Sequence, residues 1–186
     1  SASGGNAISR IDALLHAFQD GFVAQQQSAG LCDSDFLSFV RLADDAELIV
    51  EMEPMTSGLP RVPSTVFPMN TGNYIPALQC VETLVNRLEK IRSTHPNPAT
   101  AEMCTHVLFM SDGAPSDSVK TQLSGGKSKR DAELVTRVVC DLVGSIWRRL
   151  GCDEKRLKFF TVGFGAESDF AVLKKMAECL PRGVGS

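Results

Sequence analysis

The stretch from His106 to Asp117 carries the residues best placed for chemistry. An apolar run through Val107, Leu108, Phe109 and Met110 ends at Ser111 and Asp112, and the chain then turns through Gly113, Ala114 and Pro115. In open α/β sheets ligands bind in the crevice beyond the carboxyl ends of the parallel strands, so a carboxylate at such an end can reach a metal ion or a substrate. Asp112 with Gly113 also suits a strand-ending turn with no ligand at all. Other motifs carry less. Gly125, Gly126, Lys127 and Ser128 echo the end of a phosphate-binding loop, but position 121 is Thr where that pattern needs Gly, and no strand leads into it. Gly163, Phe164 and Gly165 follow a strand as a dinucleotide fingerprint does, yet Ser168 stands at the third glycine position. His16, His95 and His106 fall on a helix, in a proline-rich loop and at a strand start, with no Ser/His/Asp or metal-binding spacing between them. Nucleophilic hydrolysis is therefore unsupported.

The elements that must hold Asp112 follow from hydrophobic period. Ile8, Ile11, Leu15, Phe18 and Phe22 recur at steps of three and four and predict an amphipathic helix over residues 7–26. Residues 36–42 read as a buried strand, Asp44 and Asp45 as a tight turn, and residues 46–52 as the antiparallel partner. Residues 54–69, rich in Pro, Ser and Gly, form a loop leading to Asn70, Thr71, Gly72 and Asn73. A helix over residues 74–92 presents Ile75, Leu78, Val81, Leu84, Val85, Leu88 and Ile91 on one face and stops before Pro96 and Pro98. After strand 106–110 comes a polar loop over 113–130. A helix over 131–150 follows, with Val135, Val138, Leu142, Ile146 and Trp147 inward, then a buried strand over 157–162 and a short helix striped by Phe170, Leu173 and Met176. Strands and helices in this alternation predict an α/β doubly wound sheet, with 36–42, 106–110 and 157–162 parallel and 46–52 antiparallel at an edge.

Composition narrows the function classes. The chain has 186 residues, 43% hydrophobic and 22% charged, which suits a single soluble globular domain. A net charge of −3 gives no electrostatic reason to expect nucleic acid or an anionic membrane as partner. No apolar run approaches the roughly 20 residues that cross a bilayer, and no secretory signal is visible, so no membrane insertion is expected. The six cysteines, Cys32, Cys80, Cys104, Cys140, Cys152 and Cys179, are widely spaced without a C-x-x-C pair. Several read as buried free thiols of an intracellular, cytoplasmic protein, the alternative being a disulfide or two in a secreted one.

Three segments together resemble the von Willebrand factor type A domain family: Asn73, Tyr74, Ile75, Pro76, Ala77 and Leu78 ahead of a long helix; Val107 to Pro115 with its Ser111, Asp112, Gly113; and Phe160, Thr161, Val162, Gly163, Phe164, Gly165. They occur in the family's order along nearly the whole chain. The resemblance implies a single domain over residues 1–186 with a three-layer, Rossmann-like, mostly parallel sheet, one antiparallel edge strand, and helices on both faces. It also implies a metal-ion-dependent adhesion site at the carboxyl edge. Matched position by position, Ser1 and Ser3 are its first-loop serines, Thr71 its threonine and Asp112 its aspartate, although Gly72 separates Thr71 from Asn73 where the family joins them directly. The family's first, central strand and its first-loop Asp would then lie upstream of Ser1, and its last strand at or beyond residues 181–186. Magnesium favours about six hard oxygens, and hydroxyl ligands leave it electrophilic toward one more anionic oxygen. The implied function is a non-catalytic interaction module, part of a larger multidomain chain, that binds an Asp or Glu of a protein partner through Mg²⁺, with Mn²⁺ or Ca²⁺ as substitutes. The alternative is a metal-independent scaffold of the same fold that binds through helices or long loops.

Overall fold

A computed structural model describes residues 12, 15–28, 35–55, 72–95, 103–118, 120–122, 128–130, 132–164, 170–182 and 184–185. These belong to two compact units, Ser1–Arg41 with Glu47–Asn70, and Leu42–Ala46 with Thr71–Ser186.

In the first unit the helix is there, but not with the expected pitch. Ala17–Val23 is π-helical and runs into α1, Ala24–Ser28. An i→i+5 turn holds more residues than an α turn, so the apolar stripe slips by one position. Leu15 and Val23 are buried while Phe22, expected inward, is exposed and stacks on Phe18 with ring centroids 5.9 Å apart. The hairpin matches its reading closely: β1, Phe36–Arg41, pairs antiparallel with β2, Glu47–Pro54. Register shifts on either side of Phe39 put extra residues on β2. One of them, Met52, takes a left-handed φ of 50°, and its amide, turned out of the ladder, donates to Ser38 Oγ at 3.0 Å.

The second unit carries the remaining elements: α2, Tyr74–Thr94; β3, Thr105–Ser111; β4, Lys120–Gln122; β5, Ser128–Arg130; α3, Ala132–Arg149; β6, Leu157–Gly163; and α4, Ala171–Glu178. β3 and β6 pair parallel in unbroken register from Thr105 against Leu157 to Ser111 against Gly163. Two stretches of the expected polar loop, β4 and β5, pair as an antiparallel hairpin. Among the described residues the strands form three two-stranded sheets. The architecture is thus mixed α/β, with one parallel pair among the described residues, β3 with β6, and an antiparallel pair of β1 with β2.

The core of this unit lies between the parallel pair and its helices. Val107, Phe109, Leu157 and Phe159 point to one side and are buried with Tyr74, Leu78, Val85, Val135, Val139, Val143, Ile146, Leu173 and Met176. Each such large side chain removed from water is worth roughly 1.5–3 kcal/mol. The alternate positions Leu108, Phe160 and Val162 are exposed, so these strands, expected buried on both faces, are covered on one. On α2 the buried position near the end is Arg92 and not Ile91. Its guanidinium reaches Glu89 at 2.7 Å and the Met103 carbonyl, while Arg156 holds the other side of Glu89 at 2.6 Å. Arg156 also offers its carbonyl to Thr105 N–H at 2.8 Å, so this cluster pins the amino end of β3. The helix α3 ends in a Schellman turn, with Gly151 at φ 75° donating to the Arg148 carbonyl and Cys152 to that of Trp147. Past α4, the Val184 carbonyl accepts from Phe159 N–H at 2.7 Å, so residues 184–185 meet the outer edge of β6. No described helix is long and apolar enough to cross a membrane.

Candidate functional site

β3 delivers Ser111 and Asp112 to the carboxyl end of the parallel pair, where both strands finish together at Ser111 and Gly163. The Ser111 carbonyl accepts from Phe164 N–H at 3.1 Å, which fixes the strand end against the segment after β6. The Ser111 hydroxyl donates to the Gly113 carbonyl at 3.3 Å and lies 3.4 Å from the Gly113 amide, so the turn folds back on the strand end. Asp112 stands exposed at the apex.

This turn is stitched to the start of α2. Helix α2 opens with backbone N–H groups that have no partner within the helix, and the side chain of Asn73, the cap position, makes no capping hydrogen bond. Asp117 supplies the cap from a distant stretch of chain: its carboxylate accepts from Tyr74 N–H at 2.7 Å and Ile75 N–H at 3.0 Å, and the residue is buried. A negative charge there also meets the positive end of the helix dipole. Ser116 and Gly72 exchange two bonds, Ser116 N–H to the Gly72 carbonyl at 3.1 Å and Gly72 N–H to Ser116 Oγ at 3.3 Å. The Tyr74 hydroxyl donates to the Gly113 carbonyl at 2.6 Å, and its ring meets Phe109 edge-on at 4.8 Å between centroids. Asn73 turns the other way, to the Ala43 carbonyl through its amide at 3.1 Å and to that of Asp44 through Nδ2 at 2.8 Å.

Electrostatics follow from this enclosure. Burial pushes the Tyr74 hydroxyl up to about 12; a hydrogen bond with Ser111 opposes the shift, and the charges of Asp112 and Asp117 add to it. Tyr74 is therefore a neutral donor at ordinary pH and holds the turn by giving its proton to a carbonyl.

Of the four residues expected to hold a metal, Asp112 is described and sits at the strand end where it was expected. Ser1, Ser3 and Thr71 lie outside the described residues, although Gly72, next to Thr71, is bonded to Ser116. The sequence reading missed Asp117, Tyr74 and Ser116 as the residues that bind the two loops together. No signal in the sequence pointed to this, because Asn73 is itself a favoured cap type and only the structure shows that its side chain makes no cap bond. Among the described residues no three His, Cys, Asp or Glu side chains gather as a metal cage. A site of the expected kind draws largely on hydroxyls, with Asp112 the one carboxylate among Ser1, Ser3, Thr71 and Asp112, and its exposed hard oxygens suit that donor set. Comparison of the chain with protein-family models, with curated proteins and with solved structures gives no match.

Proposed function

We propose that this chain is a non-catalytic protein-interaction module of the von Willebrand factor A type, binding an acidic side chain of a partner through Mg²⁺ held by Ser1, Ser3, Thr71 and Asp112. The supporting observation is the division of labour between two carboxylates of one loop. Asp117 is buried and spent on the α2 amides, whereas Asp112, five residues earlier, is exposed at the carboxyl end of the parallel pair. The hydrogen bonds of Asp117, Tyr74 and Ser111 hold the turn beneath that exposed carboxylate.

The bound cation would supply an electrophilic centre for one further anionic oxygen, as incomplete neutralisation by hydroxyl ligands leaves it short of negative charge. The chain's own part is positional. Ser111 and Tyr74 tie down Gly113, so the backbone beside Asp112 is held, and the Ser116 bonds to Gly72 hold the backbone beside Thr71. In support of binding, the described polar side chains beside Asp112, Ser111 and Tyr74, are committed to the loop, and Tyr74, which keeps its proton up to about 12, is no base at neutral pH. An intracellular location is part of the same proposal.

Electron paramagnetic resonance of Mn²⁺ tests it. Titrated with the protein, the free-ion signal should fall with a stoichiometry of one, Mg²⁺ should restore it by competition, and Asp112→Ala should leave it unchanged. Loss of signal that persists at full strength in Asp112→Ala would refute the assignment.

A further inference from the structure

Away from Asp112, two nucleophilic side chains converge where α3 packs against α4. Cys140 lies in the middle of α3 and Cys179 is the residue that closes α4. The Cys179 amide donates to the Lys175 carbonyl at 3.0 Å, and the Cys140 thiol is directed at that same carbonyl, with Sγ 3.7 Å from the oxygen. In the reverse direction Cys179 Sγ lies 3.8 Å from the Cys140 carbonyl oxygen and 3.0 Å from that of Met176. Each thiol thus lies against the backbone that carries the other. Both are free, Cys140 half-buried and Cys179 exposed. The other described thiols, Cys80, Cys104 and Cys152, stand on α2, just before β3, and after α3.

We propose that Cys140 and Cys179 are a redox modification site, a dithiol that closes to an intramolecular disulfide by exchange with a low-molecular-weight disulfide such as oxidised glutathione. The exposed Cys179 enters first. Its thiolate attacks one sulfur of the oxidant, the oxidant's S–S bond breaks, and one glutathione leaves as thiolate, giving a mixed disulfide on Cys179. The Cys140 thiolate then attacks Cys179 Sγ and expels the second glutathione. Two protein thiols and one oxidised glutathione become one protein disulfide and two reduced glutathiones; the two electrons pass to the oxidant, and the two protons end on its thiols. The product joins α3 to the end of α4, from which the chain continues to Val184 and its bond with Phe159.

The surroundings set the rate. Although Cys179 is exposed as a residue, its sulfur is part-buried against the Met176 carbonyl, and that burial, with Cys140 beside it, pushes the thiol up to about 12, while burial likewise raises Cys140. Asp141 and Glu178 face the pair with negative charge, and Lys175, itself paired with Glu178 at 2.7 Å, with positive. Thiolate is scarce at neutral pH, so closure is slow and should speed up about tenfold per pH unit.

The test equilibrates the full-length protein in glutathione buffers of graded oxidation, quenches with acid and a maleimide, and maps tryptic peptides by mass spectrometry. Trypsin cuts after Arg137 and Arg148 and after Lys175 and Arg182, so the expected product is a linked pair, residues 138–148 with 176–182. Both thiols should be lost together at one midpoint, while Cys80, Cys104 and Cys152 stay open to the maleimide. In Cys179→Ser the linked pair disappears, and Cys140 takes up glutathione at most. If excess oxidised glutathione leaves Cys140 and Cys179 separately alkylated or separately glutathionylated, the proposal is overturned. It is equally overturned if the linked pair forms to the same extent in urea as in the folded chain.

Discussion

Removing the Asp117 carboxylate should loosen both loops of the site at once, and its cost can be worked out. Asp117 is 4% exposed and accepts from two backbone amides that have no other partner in α2, at 2.7 and 3.0 Å. Loss of a helix cap costs about 1–2 kcal/mol. The lost charge at the positive end of the helix adds roughly 0.5–1 kcal/mol. Asp117→Ala should therefore destabilise by about 1.5–3 kcal/mol, which for a chain of this size lowers Tm by about 3–12 °C at roughly 2–4 °C per kcal/mol. Asp117→Asn keeps an oxygen acceptor but not the charge and should cost about 1 kcal/mol. Urea and thermal unfolding measure the total. Hydrogen exchange locates it, since the amides of Tyr74 and Ile75 should lose protection before the rest of α2. An Asp117→Ala protein within about 0.5 kcal/mol of wild type, the scatter of ordinary surface substitutions, would refute the clasp.

Two further predictions concern the same neighbourhood. Tyr74 is the chain's single tyrosine, so tyrosinate absorbance reads it alone: half-ionisation is expected at about 12 in the folded protein and near 10.0 in urea. Because the folded state holds that proton more tightly, the associated stability is complete below pH 10 and is lost as pH rises from 10 toward 12; a folded-state titration at the urea value would contradict the enclosure. At the end of β6, a Cβ on Gly163 would stand 2.7 Å from the Phe170 ring, so Gly163→Ala should cost about 1–3 kcal/mol by overpacking. The same substitution made in a Phe170→Ala background should cost clearly less, and equal costs in both backgrounds would show that the ring is not the obstacle.

What the sequence made legible was local. The turn at Asp44 and Asp45, the start of α2 at Tyr74 and the apolar runs of β3 and β6 were read within a residue or two, because each is set by nearby period and turn chemistry. The stripe on the first helix was misread at Phe22 because a π-helical pitch has no signature in spacing counted at 3.6. Arg92 was invisible as a core residue because its burial depends on the Met103 carbonyl and on Arg156 meeting the Glu89 it pairs with, partners that folding alone assembles. The β4 and β5 hairpin went unread in a stretch too polar to show alternation. At the site, Asp112 could be picked out since it ends an apolar strand, whereas Asp117 could not. Its partners are the amides of Tyr74 and Ile75, more than 40 positions away, and neither residue type announces that pairing. The continuous apolar run of β3 implied two covered faces, and the exposed Leu108 is where that inference fails.

The most direct test of the account is metal-dependent thermal stabilisation of the full-length protein. A ligand that binds only the folded state adds RT ln(1 + [L]/Kd), about 2.7 kcal/mol at a hundredfold excess over Kd, or roughly 5–10 °C in Tm. Mg²⁺ and Mn²⁺ should both produce that rise, and Asp112→Ala, the loss of the one charged residue among Ser1, Ser3, Thr71 and Asp112, should abolish it while leaving the metal-free Tm within about 1–2 °C of wild type. No rise in the wild-type protein, or an equal rise in Asp112→Ala, would contradict the metal site and leave the metal-independent scaffold as the function of this fold.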